Sequence, residues 1–310
     1  LLEAVRDARA DAAPVTLERG SGTCGFSIYR RKFADGAVRM LPNPEVPIDR
    51  TVRVVRFRDG EGRTKAVWVH FTCHPTTTAR NEVNSEFPGA AMDELEERLG
   101  RQGHEATAFF LQGCCGDIRP ALVRDGAFYR GEPEDVRRFG RELAEETLRV
   151  LAGAMKPLAP AEPAVLEART AEVRLPFREL PERGRLEELA RGEGAEAEWA
   201  RGLLARGVRP DARLTLQVLR IAGGLALLAM NGEIVSGYGD HILRTFGGEV
   251  LPLGYSNGMI GYVPTAAQIA EGGYESVDSV KFFALPGVFS PEIEERIKNA
   301  AVDLVKSVSI

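Results

Sequence analysis

Four apolar runs in this chain end in the same way, and that repetition constrains the fold more than any composition figure. Ala66 to Thr72 runs into Cys73-His74-Pro75-Thr76, and Ala106 to Leu111 into Gln112-Gly-Cys-Cys-Gly-Asp117. Leu225 to Met230 runs into Asn231-Gly232-Glu233, and Val250 to Leu253 into Gly254-Tyr255-Ser256-Asn257-Gly258. Apolar runs of this length bounded by turn formers read as buried strands. Ligands of α/β sheets bind beyond the carboxyl ends of strands, where loops converge. The pattern predicts one site made of these four loops, provided the strands are parallel neighbours.

Helical segments alternate with the strands, so the fold class is α/β, a mixed sheet flanked by helices, with the site at the C-terminal ends of strands. Thr51 to Phe57 alternates as a strand. Pro88 to Leu99 carries Ala91, Met92, Leu95 and Leu99 on one helical face. Pro133 opens a long helix with a stripe through Val136, Phe139, Leu143, Thr147, Val150 and Leu151, its first turn acidic. Lys156 to Pro163 reads as a connection. Glu172 to Leu175 and Arg213 to Ile221 read as strands, and Gly223-Gly224 as a hairpin turn. Between those strands, the charged stretch 182–206 forms a helical excursion broken at Gly192 and Gly194. The last helix takes Ser290 as N-cap, with Pro291 in its first turn. The whole of 1–310 reads as one domain.

Composition removes several functions. Forty Lys and Arg against 45 Asp and Glu give a formal charge of −5, with the bases scattered, so no nucleic-acid footprint stands out. No apolar run approaches the roughly 20 residues of a membrane-spanning helix. Four cysteines (Cys24, Cys73, Cys114, Cys115) form no paired knuckle. The adjacent pair fits a reducing, cytoplasmic compartment slightly better than an oxidising one, and a signal peptide upstream of Leu1 stays open.

Each loop also has a bland reading. His74 before Pro75 could be a histidine satisfied in a turn, Gly113 and Gly116 could serve a positive φ, and Glu233 could cap the helix that starts near Ser236. Tyr262 and Tyr274 could be half-buried aromatics. As chemistry, His74 and Glu233 supply a nitrogen and a carboxylate oxygen, both suited to zinc, and a phenolate is a rarer third ligand. His70 is about 13 Å from His74 if both lie on one strand, too far to share an ion. His104 and His241 offer no better placement, so the metal set looks one ligand short.

At these residues the sequence resembles the neutral/alkaline ceramidases, from about Thr23 to Tyr274. The resemblance is carried by Tyr29-Arg30-Arg31 with Asp49-x-x-Val52, by Phe71-Thr-Cys-His74-Pro75-Thr76, and by Phe110-Leu-Gln-Gly-Cys-Cys-Gly-Asp117-Ile-Arg119-Pro120. Asn231-Gly-Glu233, Asn257-x-x-x-Gly261-Tyr262-Val263-x-Thr265 and Gly273-Tyr274-Glu275 complete it. It implies that His74, Glu233 and Tyr262 hold a zinc ion and that Tyr274 stabilises the oxyanion. A further histidine ligand is expected upstream of residue 1, which makes the chain a fragment of the catalytic domain or a divergent form of it.

One position departs from the family: Arg119 stands where the family carries its serine nucleophile. A guanidinium cannot attack an acyl carbon. The expected activity is therefore hydrolysis of an amide or related acyl bond by metal-activated water. Arg119 and Asp117 serve the reaction, Arg119 by orienting an anionic group and Asp117 by positioning the loop or accepting a proton. Arg30, Arg31, Gly113 and Asn257 line the substrate. Cys114 or Cys115 is a less favoured nucleophile, for want of a base. The alternative is a catalytically inactive protein that binds an anionic or lipid-like ligand in the same cleft. The partner in either case is a small or lipid-like acyl molecule, and the sequence is silent on oligomeric state.

Overall fold

A computed structural model describes residues 2–101, 105–160 and 166–308; His104 and the end of the expected connection before Pro163 lie outside them. In the first half, helix α1 (Leu2–Ala10) precedes strands β1 (Thr16–Thr23), β2 (Ser27–Ala34), β3 (Ala37–Asn43), β4 (Thr51–Arg58) and β5 (Thr64–Phe71). Helix α2 (Glu86–Gly100) leads to β6 (Thr107–Gln112), β7 (Ile118–Pro120) and a small hairpin, β8 (Val123–Arg124) and β9 (Ala127–Phe128). Helix α3 (Pro133–Ala152) and β10 (Lys156–Pro157) close this half. A sheet in the order β10-β1-β4-β5-β6 holds it together, antiparallel except for the parallel pair β5 and β6.

In the second half, β11 (Glu167–Pro176), α4 (Arg183–Leu189), α5 (Ala195–Arg206), β12 (Asp211–Ala222) and β13 (Leu225–Met230) follow in order. Next come β14 (Glu233–Ile234), α6 (Ser236–Phe246), β15 (Val250–Leu253), β16 (Tyr262–Val263) and α7 (Ala266–Glu271). A single π turn (Tyr274–Asp278) and α8 (Ile293–Lys306) complete the chain. The second sheet runs β11-β12-β13-β15, with β13 and β15 parallel.

The strands alternate between two cores because side chains alternate across a pleat. Val52, Val54, Val67, Val69 and Phe71 pack against α2 and α3. Their neighbours Val55, Phe57 and Trp68 point the other way, onto Leu225, Leu227 and Leu251 of the second sheet. That sheet in turn sends Ala226, Leu228 and Met230 to a core completed by Tyr238 and Ile242 of α6 and Ile293, Ile297 and Val305 of α8. The result is four layers: helices, sheet, sheet, helices. The expected mixed sheet is thus divided between two larger sheets, and the four strands are parallel neighbours only in pairs, β5 with β6 and β13 with β15.

The helical excursion breaks at the expected glycines, with Gly194 at φ +81°. It carries its own small core of Leu186, Ala200 and Leu203. The last helix starts at Ile293 with Glu292 as its cap residue, later than Ser290. Ser290 is instead held by its backbone, which donates to the Pro176 carbonyl at 2.8 Å beside the bridge between Phe177 and Phe289.

Candidate functional site

The four loops do meet, because the two sheets abut at the carboxyl ends of their parallel pairs. Gly254 N–H, past β15, donates to the Gln112 carbonyl at the end of β6 (3.1 Å). Gly116 N–H donates to the Ile234 carbonyl (2.9 Å), and Tyr255 N–H to the Gly232 carbonyl (2.9 Å). Buried His70 ties β5 to β15 through its Nε2 contact with the Pro252 carbonyl (3.0 Å). Burial pushes its pKa down to about 4, so it stays neutral and structural.

The expectation that Gly113 and Gly116 serve a positive φ does not hold, since neither takes one. Space is the reason for both. A Cβ on Gly113 would stand 2.4 Å from Thr72 Oγ1, and one on Gly116 2.7 Å from the Glu233 carbonyl oxygen. The loops touch only because side chains are absent there.

The short parallel pair of β14 and β16 sets Glu233 directly beside Tyr262. The Glu233 carboxylate then lies 3.1 Å from His74 Nε2 and accepts from the Tyr255 hydroxyl at 2.9 Å, both at Oε2. The Tyr262 hydroxyl interacts with the same carboxylate and with Arg30. Burial works to raise the Glu233 pKa, but His74 and the two phenols outweigh it and hold the carboxyl below its ordinary range. His74 is held below its ordinary value, first by burial and then by the positive charges of Arg30 and Arg119 against the pull of Glu233. Glu233 is therefore not the cap of α6. Asp117 takes that place, accepting from Ser236 N–H (2.8 Å), Ser236 Oγ (3.1 Å) and Gln268 Nε2 (2.8 Å). With three donors on its carboxylate, Asp117 braces the loop between β6 and β7.

Tyr274, at the start of the π turn, packs edge-on against Tyr262 with ring centroids 5.4 Å apart, and burial raises its pKa, so it keeps its proton. Arg30 lies over both rings, 5.3 Å and 5.7 Å from their centroids. Its Nε also donates to Glu275 Oε1 (2.8 Å). Arg31, expected to line the substrate, points its guanidinium to Glu275 (2.5 Å), Glu271 (3.0 Å) and the Gly272 carbonyl (2.9 Å). Asn257, expected beside it, is exposed at φ +62° and donates to Gln217 (3.2 Å). Arg119 sits on β7 with its guanidinium 4.4 Å above the Phe128 ring. His241 faces α8, close to Lys298 and Glu295.

Two residues of the cluster carry no assignment from the sequence. Tyr255 stands in one of the four loops but matches no motif, and only the fold shows its hydroxyl on Glu233. Its φ of +57° is costly for an aromatic residue, so the backbone is held there by its surroundings. Glu275 has no signal of its own beyond following Tyr274. Cys114 and Cys115 are buried, and burial raises both thiols far above their ordinary values, which disfavours a thiolate nucleophile.

Zinc ligands at about 2.0–2.2 Å in tetrahedral array lie roughly 3.3 Å apart, close to the 3.1 Å between His74 Nε2 and Glu233 Oε2. Among the described residues, no group of three His, Cys, Asp or Glu side chains could hold a metal ion. Beyond these two the cluster offers phenols: Tyr255 on Glu233, and Tyr262, which burial and Glu233 hold protonated against the pull of Arg30. The residues present therefore fit part of a zinc shell: two ordinary donors, His74 and Glu233, and phenols that would ligate only after losing a proton.

No family model and no curated protein sequence matches the chain. Solved structures do. The crystal structure of neutral ceramidase from Pseudomonas aeruginosa superposes with a TM-score of 0.70 at 20% identity, covering 100% of this chain and 55% of that one. A ceramidase described as complexed with C2 gives a TM-score of 0.69 at 20% identity, covering 96% of this chain and 54% of that one. The chain has a ceramidase-like fold and spans about half the length of those two proteins. None of the described helices is long and apolar enough to cross a membrane.

Proposed function

We propose that the chain carries the working half of a ceramidase-like hydrolase that cleaves an amide or related acyl bond with water. The observation behind this reading is the convergence of His74, Tyr255 and Tyr262 on the Glu233 carboxylate in a fold shared with two ceramidase structures. His74, Glu233 and Tyr262 would hold zinc, together with a further ligand from outside this sequence. Zinc supplies Lewis acidity and brings the pKa of a bound water down to about 7.

The chain's own groups do the rest. His74, neutral because it is buried and flanked by arginines, would offer an Nε2 lone pair to the ion in the tautomer that carries its proton on Nδ1. Glu233 stays ionised and orients both phenols. Tyr274 keeps its proton and donates it as a hydrogen bond to the oxyanion that forms on the acyl oxygen, an interaction worth about 3 kcal/mol in comparable sites. Asp117 positions the loop through its three donors. Water adds to the acyl carbon and the amine leaves, with no covalent acyl intermediate on a side chain.

Metal content by elemental mass spectrometry tests this, on the chain and on a version extended upstream, each with and without Glu233→Ala. Near-stoichiometric zinc, lost with the substitution together with cleavage of N-acyl substrates, is the expected result. A variant that retained activity would sink the assignment. The rival reading, a ligand-binding protein without catalysis, draws on the absence of a serine at Arg119. Zinc-free chain with no turnover in either form would favour it.

A further inference from the structure

Arg119 is a buried charge with no counter-ion among the described residues. The residue is 4% exposed. Among the described residues the only acceptor for its five N–H donors is the Thr76 carbonyl, at a long 3.4 Å. Its Nε is buried with no partner at all. Burial lowers its pKa to about 10, and the like charges of Arg130 and Arg30 add to the shift. Proteins rarely tolerate this, because burying an ion costs several kcal/mol unless it is paired.

The unpaired group faces the candidate site. β2 and β7 pair antiparallel with Ile28 opposite Arg119, and Arg30 shares the face of Ile28 two residues on. Arg119 and Arg30 thus project from one face, toward His74, which senses both charges. The Arg30 Nη2 is also buried and unpartnered. In the loop whose Thr76 carbonyl Arg119 reaches, His74 Nδ1, Thr76 Oγ1 and Thr77 Oγ1 are also buried with no partner among the described residues.

We infer that Arg119 is an anion receptor, and that the ligand of this site carries a carboxylate next to its acyl bond, as an N-acylated amino acid does. Arg119's planar fork matches the two oxygens of a carboxylate. A doubly charged phosphate would meet Glu233, ionised and within the same cluster, so a monoanion is favoured. The inference rests on the proposed acyl chemistry only for the rest of the ligand, since the anion preference follows from Arg119 alone.

Calorimetric titration of the intact chain compares N-lauroylglycine, N-lauroylethanolamine and the phosphate monoester of the latter, each below its micelle threshold. The carboxylate is expected to bind at least about tenfold more tightly than the neutral amide, the value of one hydrogen bond to a charged group. Arg119→Gln should bring the two within about twofold. Arg119→Lys, which keeps the charge but not the fork, should fall between. Equal binding of acid and amide by the unmodified chain overturns the inference even if both variants fail to fold. So does a preference that survives Arg119→Gln, or a phosphate bound more tightly than the carboxylate. Urea unfolding gives an independent readout: a purely structural Arg119 predicts a destabilised Gln variant, whereas a receptor predicts one at least as stable. The binding assay needs neither zinc nor turnover. A chain that prefers the acid but cleaves nothing keeps this inference and loses the hydrolase, and one that cleaves neutral amides without preference does the reverse.

Discussion

Arg30 and Arg119 make a matched pair with opposite surroundings. Both residues are about 4% exposed, both guanidiniums lie over an aromatic ring, and both residues stand on paired strands of one small sheet. Arg30 shares Glu275 with Arg31 and reaches the Tyr262 hydroxyl as well, so its charge is neutralised and its pKa is raised. Arg119 has one distant carbonyl and repelling neighbours, and its pKa is lowered. The difference separates a charge that holds the fold together from one the fold tolerates. A buried ion pair is costly to break because it strands its partner, whereas removing an ion that was never paired strands nothing.

The comparison breaks most sharply at Glu275. Glu275→Gln leaves buried Arg30 without a counter-charge and Arg31 with only the half-exposed Glu271, and we expect a loss of about 3–5 kcal/mol in urea unfolding. A loss below about 1 kcal/mol would erase the distinction between the two arginines. Next in size is a pH effect at His70, which lies between the two sheets. Its folded pKa is lowered from 6.5 to about 4 by burial, so the unfolded chain binds its proton first. Its contribution is fully present above about pH 6.5 and is lost as pH falls toward 4, about 3 kcal/mol in all. Unfolding free energies measured across that window should show the slope, and His70→Gln should flatten it.

Smaller is Tyr255→Phe, which removes one hydroxyl from Glu233. About 1 kcal/mol of stability should go, and the Glu233 carboxyl should titrate at higher pH, read by carbon NMR. Smallest, and of opposite sign, is Arg119→Gln. With no partner to strand, it should cost nothing and add about 1 kcal/mol. A clear destabilisation would put Arg119 in the same class as Arg30.

Much of the scaffold was legible in the residues. The alternating run at 51–57 and the apolar runs at 66–72, 106–111 and 225–230 contain strands, and the stripe from Val136 to Leu151 is a helix, because apolar spacing and run length report what is buried. That His74 and Glu233 belong together followed from their common position past strand ends, and both stand in one cluster. Tyr255 escaped notice because a phenol announces its partner only in three dimensions. Arg31 and Asn257 were expected to line the substrate, and they turn to Glu275 and Gln217 because the side chains that claim them come from distant segments.

The sequence by itself determined the strands, helices and polar loops, since these depend on spacing along the chain. It also fixed that position 119 carries a permanent charge in place of a hydroxyl. Only the tertiary structure decided that two sheets, not one, bring the four loops together, and that two glycines are needed for space and not for φ. Tertiary structure alone also decided which arginine finds a carboxylate. Counter-charges lie some 240 residues apart in the chain, as Arg30 and Glu275 do. Electrostatic pairing is set by distance in space, which no local pattern encodes.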